Sequence, residues 1–274
     1  MTKLDGLDHL SLITVPVSLF FNETHLSDAT AFVWRKNNRI YLVTNWHVVS
    51  GRNSVTGTNI RCDGGRPNRM VAKFLSATSL TWKNEVSIDL SDDDGHPKWL
   101  VYTPRPPGNE LERSAEELKG LQEGVDLAIL PLIPAPVGVQ LFPANEYASD
   151  QSLPIEIGMD VFVLGYPFGA RPPALPVWKR GSIASEPELV RSQAGFYLVD
   201  TASRPGMSGS PVVLRSRLNG REVGGRPRDR FVGVYSGRLS AGVSGAQIGR
   251  VWHASFIDEI IDADIACRPA EGQR

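Results

Sequence analysis

Short apolar segments dominate the pattern of hydrophobic and polar positions along the chain. They are rich in Val, Ile, Tyr and Phe and are bounded by Gly, Pro, Asn or Asp, which is typical of β-strands. The clearest ones cover residues 29–34, 39–44, 126–132, 160–166, 195–200, 210–215, 230–237 and 249–255. The pattern predicts a protein built mainly from strands, arranged as barrels or as a sandwich.

Helical periodicity is scarce, and its best example lies near the C-terminus. Between residues 253 and 266 the apolar residues Phe256, Ile257, Ile260, Ile261 and Ile265 form a single stripe, which predicts an amphipathic helix. A second, short helix is predicted over residues 113–122.

Two polar stretches are predicted to be surface loops. Residues 83–123 combine an acidic run with closely spaced prolines, and residues 215–230 carry six arginines. The arginine-rich stretch is most simply a solvated loop, although such a run also suits docking of an acidic partner. Prolines spaced over residues 133–154 indicate a linker between two halves of the chain.

Composition and charge exclude several classes of protein. The 274 residues are 41% hydrophobic and 22% charged, which excludes a disordered chain, a collagen and a coiled coil. The net charge of −1 gives no overall attraction to nucleic acid or to an anionic membrane. No apolar run reaches the roughly 18 residues of a membrane-spanning helix. We therefore expect neither nucleic acid nor membrane as a partner.

The cysteine and histidine content bears on location and on metal binding. Cys62 and Cys267 lie far apart and do not form a disulfide framework, which favours a cytoplasmic protein with reduced thiols. The two cysteines and five histidines show no zinc-ligand spacing. We therefore expect no metal and no cofactor.

Three segments bring together the residue types of nucleophilic catalysis. His47 follows an apolar strand, Asp126 begins another, and Ser208 lies in a glycine-rich turn. A serine hydroxyl needs a base to accept its proton, and a neutral imidazole suits that role. A buried carboxylate fixes the imidazole tautomer and stabilises the imidazolium. These residues are far apart in sequence, so only the fold can assemble them.

Attack on a carbonyl also generates an oxyanion, which requires positioned hydrogen-bond donors. In the segment RPGMSG, the backbone N–H groups of Gly206 and Ser208 are the natural pair. Glycine permits the backbone conformation that turns such an N–H group inward.

The segments TNWHVV, VDLAIL and PGMSGSPVV resemble the three catalytic motifs of the trypsin-like (chymotrypsin-fold) serine proteases. The likeness is greatest to their disulfide-free bacterial branch, which includes the protease domain of Deg-type proteases. It implies an all-β fold of two six-stranded antiparallel β-barrels, followed here by the C-terminal α-helix. It also implies a serine endopeptidase that cleaves proteins or peptides through an acyl-enzyme.

The resemblance implies a division of the chain in which His47 and Asp126 belong to the first barrel and Ser208 to the second. The expected units are an N-terminal barrel (1–135), a linker (136–153), a C-terminal barrel (154–252), a helix (253–266) and a tail (267–274).

One departure from the family concerns activation. Met207 stands where zymogen-activated members carry an aspartate that pairs with a newly cut N-terminus, so that route of activation is not expected.

By the same resemblance, a substrate pocket is formed by Ala202, Ser203, Ser236, Gly237 and Arg238. Without a carboxylate at Ala202, a strict preference for Arg or Lys is not expected. An apolar residue before the cleaved bond and an acidic one that pairs with Arg238 remain open.

Two alternatives are weaker. An α/β-hydrolase uses G-x-S-x-G on alternating strands and helices, but the segment from Gly206 ends in Ser210 and the chain lacks that alternation. The other is a non-catalytic or conditionally inactive scaffold on the same fold, opened by an activating protein partner. Residues 215–230 are the candidate for such control.

Overall fold

The structure is a computed structural model that describes residues 7–76, 79–102, 124–169, 175–189, 195–216, 228–238 and 247–267. Among these residues, twelve strands form two antiparallel sheets of six strands each. The strands are β1 (Thr14–Phe21), β2 (Thr24–Lys36), β3 (Arg39–Thr44), β4 (Arg69–Ser76), β5 (Ser79–Asp89), β6 (Ala128–Pro131), β7 (Asp160–Gly165), β8 (Val177–Ile183), β9 (Phe196–Asp200), β10 (Pro211–Ser216), β11 (Arg228–Arg238) and β12 (Ile248–His253).

The N-terminal sheet has the strand order β5-β4-β1-β2-β3-β6. Val17, Leu19 and Leu42 lie in its core together with Met70 of β4 and Leu130 of β6. Successive positions of β3 and β6 are buried, so both faces of these two strands are covered. Among the described residues this sheet does not close on itself.

The C-terminal sheet is a closed barrel with the strand order β10-β11-β12-β9-β8-β7. Its interior is filled by residues from successive strands, including Val163, Val199, Val212 and Val251. Closure removes the free strand edges, and the filled interior makes this barrel a packed core rather than a channel. The predicted all-β fold of two six-stranded antiparallel β-barrels is confirmed, with the C-terminal barrel closed and the N-terminal one a half-barrel.

The predicted C-terminal helix is confirmed, one or two residues later than expected. The helices are α1 (Trp46–Ser50), α2 (Ala144–Tyr147) and α3 (Ser255–Cys267). Helix α3 buries Phe256 and Ile260 and binds the N-terminal sheet, because Trp34 Nε1 donates to Asp258 Oδ1 at 3.2 Å. None of the helices in the described part of the chain is long and apolar enough to cross a membrane.

The expectation of a loop over residues 215–230 is wrong at both ends. Arg215 belongs to β10 and Arg228 to β11, and Arg215 pairs with Asp229 in the antiparallel register of these strands. The Arg215 side chain is only 7% exposed, because it forms ion pairs with Asp8 and Asp229 and stacks on the ring of Trp178. Residues 217–227 lie outside the described residues.

The expectation of a loop from residue 83 is also wrong at its start, since β5 continues to Asp89. Residues 84–89 pair with β4 in a regular antiparallel register, and this pairing makes the segment a strand although its residues are mostly polar. The helix predicted over residues 113–122 lies outside the described residues.

Candidate active site

A short helix places His47 at the end of the N-terminal sheet. Strand β3 ends at Thr44, and α1 begins two residues later and stops at Gly51, which adopts a left-handed φ of 67°. A Cβ atom at Gly51 would lie 2.8 Å from Pro67 Cδ, so the turn requires glycine. The fully buried Asn45 donates its Nδ2 to the backbone carbonyl of Asp126 at 2.8 Å, which joins the start of the helix to the segment just before β6.

The side chains of His47 and Asp126 form a direct hydrogen bond. His47 Nδ1 lies 2.7 Å from Asp126 Oδ2, and the backbone N–H of His47 donates to Asp126 Oδ1 at 2.8 Å. Asp126 is 1% exposed, whereas the His47 side chain retains 19% exposure. Both oxygens of the carboxylate are therefore committed to His47, and this orients the imidazole.

Burial and pairing act in opposite directions on these two groups. Burial disfavours both charged forms, but the charge and hydrogen bonds of His47 hold the pKa of Asp126 below its ordinary value. Burial likewise opposes protonation of His47, yet the attraction of Asp126 raises its pKa above the ordinary value. The pair favours an ionised Asp126 that stabilises positive charge on His47.

Ser208 lies in a turn that only glycines can form. Gly206 and Gly209 adopt φ values of 92° and 81°. A Cβ atom at Gly206 would come within 2.2 Å of the Tyr166 carbonyl oxygen, and one at Gly209 within 2.1 Å of the Thr30 carbonyl oxygen. The turn therefore packs directly on backbone from both sheets.

The Ser208 hydroxyl lies close to Gly237, the neighbour of a residue that contacts Asp126. A Cβ atom built on Gly237 would lie 3.9 Å from Ser208 Oγ, and the neighbouring Ser236 donates its hydroxyl to Asp126 Oδ2. Within the described part of the chain, Ser208 Oγ forms no hydrogen bond with His47. Catalytic hydrogen bonds of this kind often tighten only when substrate binds.

The predicted oxyanion donors have no acceptor among the described residues. The Pro205 carbonyl accepts the N–H of Phe168 at 2.9 Å, and a trans peptide places its N–H on the side opposite its C=O. The N–H of Gly206 therefore points away from Phe168.

The residues assigned to the substrate pocket have distinct surroundings. Ala202 and Ser203 are half-buried in the loop after β9. Ser236 and Gly237 lie where the pairing of β11 with β12 is interrupted, a bulge that re-aims their backbone. Arg238 is exposed.

The hydrogen bond from Ser236 to Asp126 was not predicted from the sequence. Neither were the positions of two further residues beside the site, Tyr235 and Thr30. Tyr235 is 1% exposed, and its ring lies against Gly249, where a Cβ atom would approach Cε2 to 2.4 Å. Thr30 is fully buried behind the nucleophile turn. The continuous apolar run in the segment RFVGVYSG already indicates that Tyr235 is buried, whereas no local signal marks Thr30.

One group of side chains in the described residues has the spacing of metal ligands. Ligand atoms of Asp92, Asp94 and His96 lie within 4.8 Å of one another, and all three residues are exposed. Backbone N–H groups of the turn already donate to Asp92, so the turn itself accounts for the cluster. These residues lie outside the site described above.

Comparison with protein-family models identifies a peptidase domain in this chain. The family model described as a trypsin-like peptidase domain matches residues 29–224, which include His47, Asp126 and Ser208. A search of curated proteins found no match.

Solved structures with a similar fold include an inactive form of Rv3671c from M. tuberculosis H37Rv, at 18% identity and a TM-score of 0.49, covering 95% of this chain and 90% of that one. The HtrA-type protease AlgW with a tripeptide matches at 16% identity and a TM-score of 0.47, covering 94% of this chain and 61% of that one. A serine endoprotease from Yersinia pestis matches at 13% identity and a TM-score of 0.47, covering 95% and 68%.

The family model spans well over half of the chain and includes segments from both sheets. The chain therefore belongs to the family of trypsin-like peptidase domains, and it is a trypsin-like serine protease.

Proposed function

We propose that the protein is a serine endopeptidase in which His47, Asp126 and Ser208 form the catalytic triad. The observation that carries this proposal is the buried Asp126 carboxylate, which accepts the Nδ1–H of His47 beside the turn of Ser208. That bond places the proton on Nδ1 and leaves Nε2 as the base.

The reaction proceeds through a covalent intermediate. Ser208 Oγ attacks the peptide carbonyl while its proton passes to His47 Nε2, and the N–H groups of Gly206 and Ser208 stabilise the oxyanion. Collapse of this intermediate breaks the C–N bond, and His47 returns the proton to the leaving amine. Water then attacks the acyl-enzyme by the same steps and releases the acid.

The substrate is a protein or peptide whose residue before the cleaved bond contacts Ala202, Ser203, Ser236, Gly237 and Arg238. The exposure of Arg238 leaves it able to pair with an acidic side chain of the substrate. The division into barrels at 1–135 and 154–252 and the cytoplasmic location remain predictions from the sequence.

Labelling with a fluorophosphonate probe tests the proposal, because such probes phosphonylate only a serine activated by a base. We expect wild-type protein to be labelled on the peptide that contains Ser208, as mapped by mass spectrometry. Labelling of another serine would contradict the assignment.

The second candidate function is that of a protease fold whose active site is inactive at rest. It is favoured by one observation, which is that Ser208 Oγ has no hydrogen bond to His47 within the described residues. A folded protein that takes up no probe alone, but takes it up with casein or a protein partner present, would identify a latent enzyme. Absence of labelling in every condition would identify a scaffold.

Labelling is expected to depend on pH through His47. Its pKa is raised by Asp126, and protonated His47 cannot accept the serine proton. The labelling rate should therefore fall as pH decreases, with a midpoint above the ordinary histidine value of about 6.5. Rates measured between about pH 5 and 9 test this, and a rate independent of pH below 7 would exclude His47 as the base.

A further inference from the structure

Thr30 joins the N-terminal sheet to the turn that carries the predicted nucleophile. It lies in β2, is fully buried, and its backbone N–H donates to the carbonyl of Ser208 at 2.9 Å. Its Oγ1 donates to the carbonyl of Gly206 at 2.8 Å and accepts the N–H of Tyr166 at 3.1 Å. One residue of the first sheet thus holds both ends of the segment from Gly206 to Ser208.

The position of Thr30 is itself fixed. Its carbonyl oxygen accepts the hydroxyl of the buried Thr44 at 2.9 Å, so β3 supports β2 at this point. The Oγ1 atom uses its proton toward Gly206 and a lone pair toward Tyr166, so its rotamer is determined from both sides. A hydroxyl held this way acts as a rigid contact rather than as a mobile surface group.

The contact with the Gly206 carbonyl restrains the peptide that follows Gly206. The turn has two consecutive peptides whose carbonyls are held, that of Pro205 by the N–H of Phe168 and that of Gly206 by Thr30 Oγ1. Glycine at position 206 allows such a peptide to rotate, because it lacks a Cβ atom. The held Pro205 carbonyl keeps the N–H of Gly206, which belongs to the same peptide, on the opposite side, where it meets no acceptor among the described residues. The contact with Thr30 holds the next peptide, so rotation about Gly206 is restrained from both sides.

We propose that Thr30 is a positioning residue that preorganises the oxyanion donor of Gly206 through its side-chain hydroxyl. This inference rests on the proposed function, because it gives the N–H of Gly206 its catalytic role. Stabilisation of an oxyanion depends on donors that are in place before charge develops. Thr30 supplies this preorganisation without touching substrate.

The test compares Thr30→Val, which keeps the branched shape but lacks the hydroxyl, with Thr30→Ser, which keeps the hydroxyl. Two measurements are made on each variant. The first is amide hydrogen exchange of the peptide spanning residues 204–210, which reports the turn itself. The second is the rate of casein hydrolysis, separated into kcat and KM, together with fluorophosphonate labelling of Ser208.

We expect Thr30→Val to exchange faster in this peptide and to lose about 10- to 100-fold in kcat, somewhat less than removal of an oxyanion donor outright. KM and the pH midpoint of labelling should stay unchanged, because His47 and the pocket are untouched. Thr30→Ser should restore both measurements to near the wild-type values. A merely structural role would lower the melting temperature of Thr30→Val and leave kcat of the folded protein unchanged.

The outcomes separate this proposal from the proposed function. Unchanged exchange in folded Thr30→Val, or faster exchange with wild-type kcat, overturns the role of Thr30. Absence of labelling and hydrolysis in wild type overturns the proposed function instead, while the exchange measurement still decides whether Thr30 holds the turn. If Thr30→Val does not fold, Thr30→Ala removes the hydroxyl without placing a methyl group against the Gly206 carbonyl, and the same criteria apply.

Discussion

Replacement of Ser208 by alanine is expected to abolish turnover while leaving the fold intact. The substitution removes the attacking oxygen, and loss of a triad member lowers kcat by about 10⁴ to 10⁶. This corresponds to about 5–8 kcal/mol of activation free energy. Ser208 is only half-buried, and its hydroxyl makes no hydrogen bond within the described residues, so the substitution costs little stability. Casein hydrolysis by wild type and Ser208→Ala provides the measurement.

The chain offers a matched control two residues away. Ser210 lies in the same turn, is fully buried, and its Oγ has no hydrogen-bond partner among the described residues. Ser210→Ala removes a hydroxyl of the same kind from the same turn, so near wild-type hydrolysis is expected. Equal hydrolysis by wild type and Ser208→Ala, or an equal loss in both variants, would refute the role assigned to Ser208.

Strand positions were predictable where a short apolar run is bounded by polar or turn-forming residues. The segment 39–44 coincides with β3, and 210–215 differs from β10 by a single residue. Strand β1 was not predicted, because Pro16 interrupts its apolar run. The structure tolerates Pro16 since β4 pairs with β1 only from Val17 onward, so no hydrogen bond from position 16 to β4 is lost.

The arginine-rich segment shows where local composition misleads. Arg215 looks like a loop residue in sequence, but its charge is neutralised by Asp8, which lies more than 200 residues earlier. Asp229, on the neighbouring strand, forms a second ion pair with Arg215. Nothing in the local pattern distinguishes a buried, paired arginine from a solvated one, because the distinction depends on residues that only the fold brings near.

Within the site, motifs and contacts differ in how predictable they are. His47, Asp126 and Ser208 stand in recognisable segments, and the structure joins the first two by a hydrogen bond. Ser236 lies in the predicted strand 230–237 and was assigned to the pocket by the resemblance to the family, but the bulge after Tyr235 allows its hydroxyl to reach Asp126. Such a bulge depends on cross-strand register and has no signal in a single sequence.

The second large effect is expected for Asp126→Asn, which preserves the shape of the side chain but reverses its hydrogen bonding. In wild type the backbone N–H of His47 donates to Asp126 Oδ1. In the variant the amide oxygen is expected to take the place of Oδ1 and accept this hydrogen bond. The amide nitrogen then faces His47 Nδ1, so the imidazole must carry its proton on Nε2, directed at Ser208. A base protonated there cannot accept the serine proton, and a loss of about 10⁴ in kcat is expected.

A second readout separates this tautomer effect from simple loss of structure. Asp126 raises the pKa of His47, so the neutral amide should move the acid midpoint of the residual activity to lower pH.

Ser236→Ala is the matched control, because it removes another donor to the same carboxylate and leaves the Nδ1–H bond in place. It should cost about tenfold or less, in keeping with one ordinary hydrogen bond. If Asp126→Asn retained wild-type kcat with an unmoved midpoint, the carboxylate would have no part in orienting His47. If Ser236→Ala were as damaging as Asp126→Asn, orientation would depend on the whole network around Asp126 rather than on its bond to Nδ1.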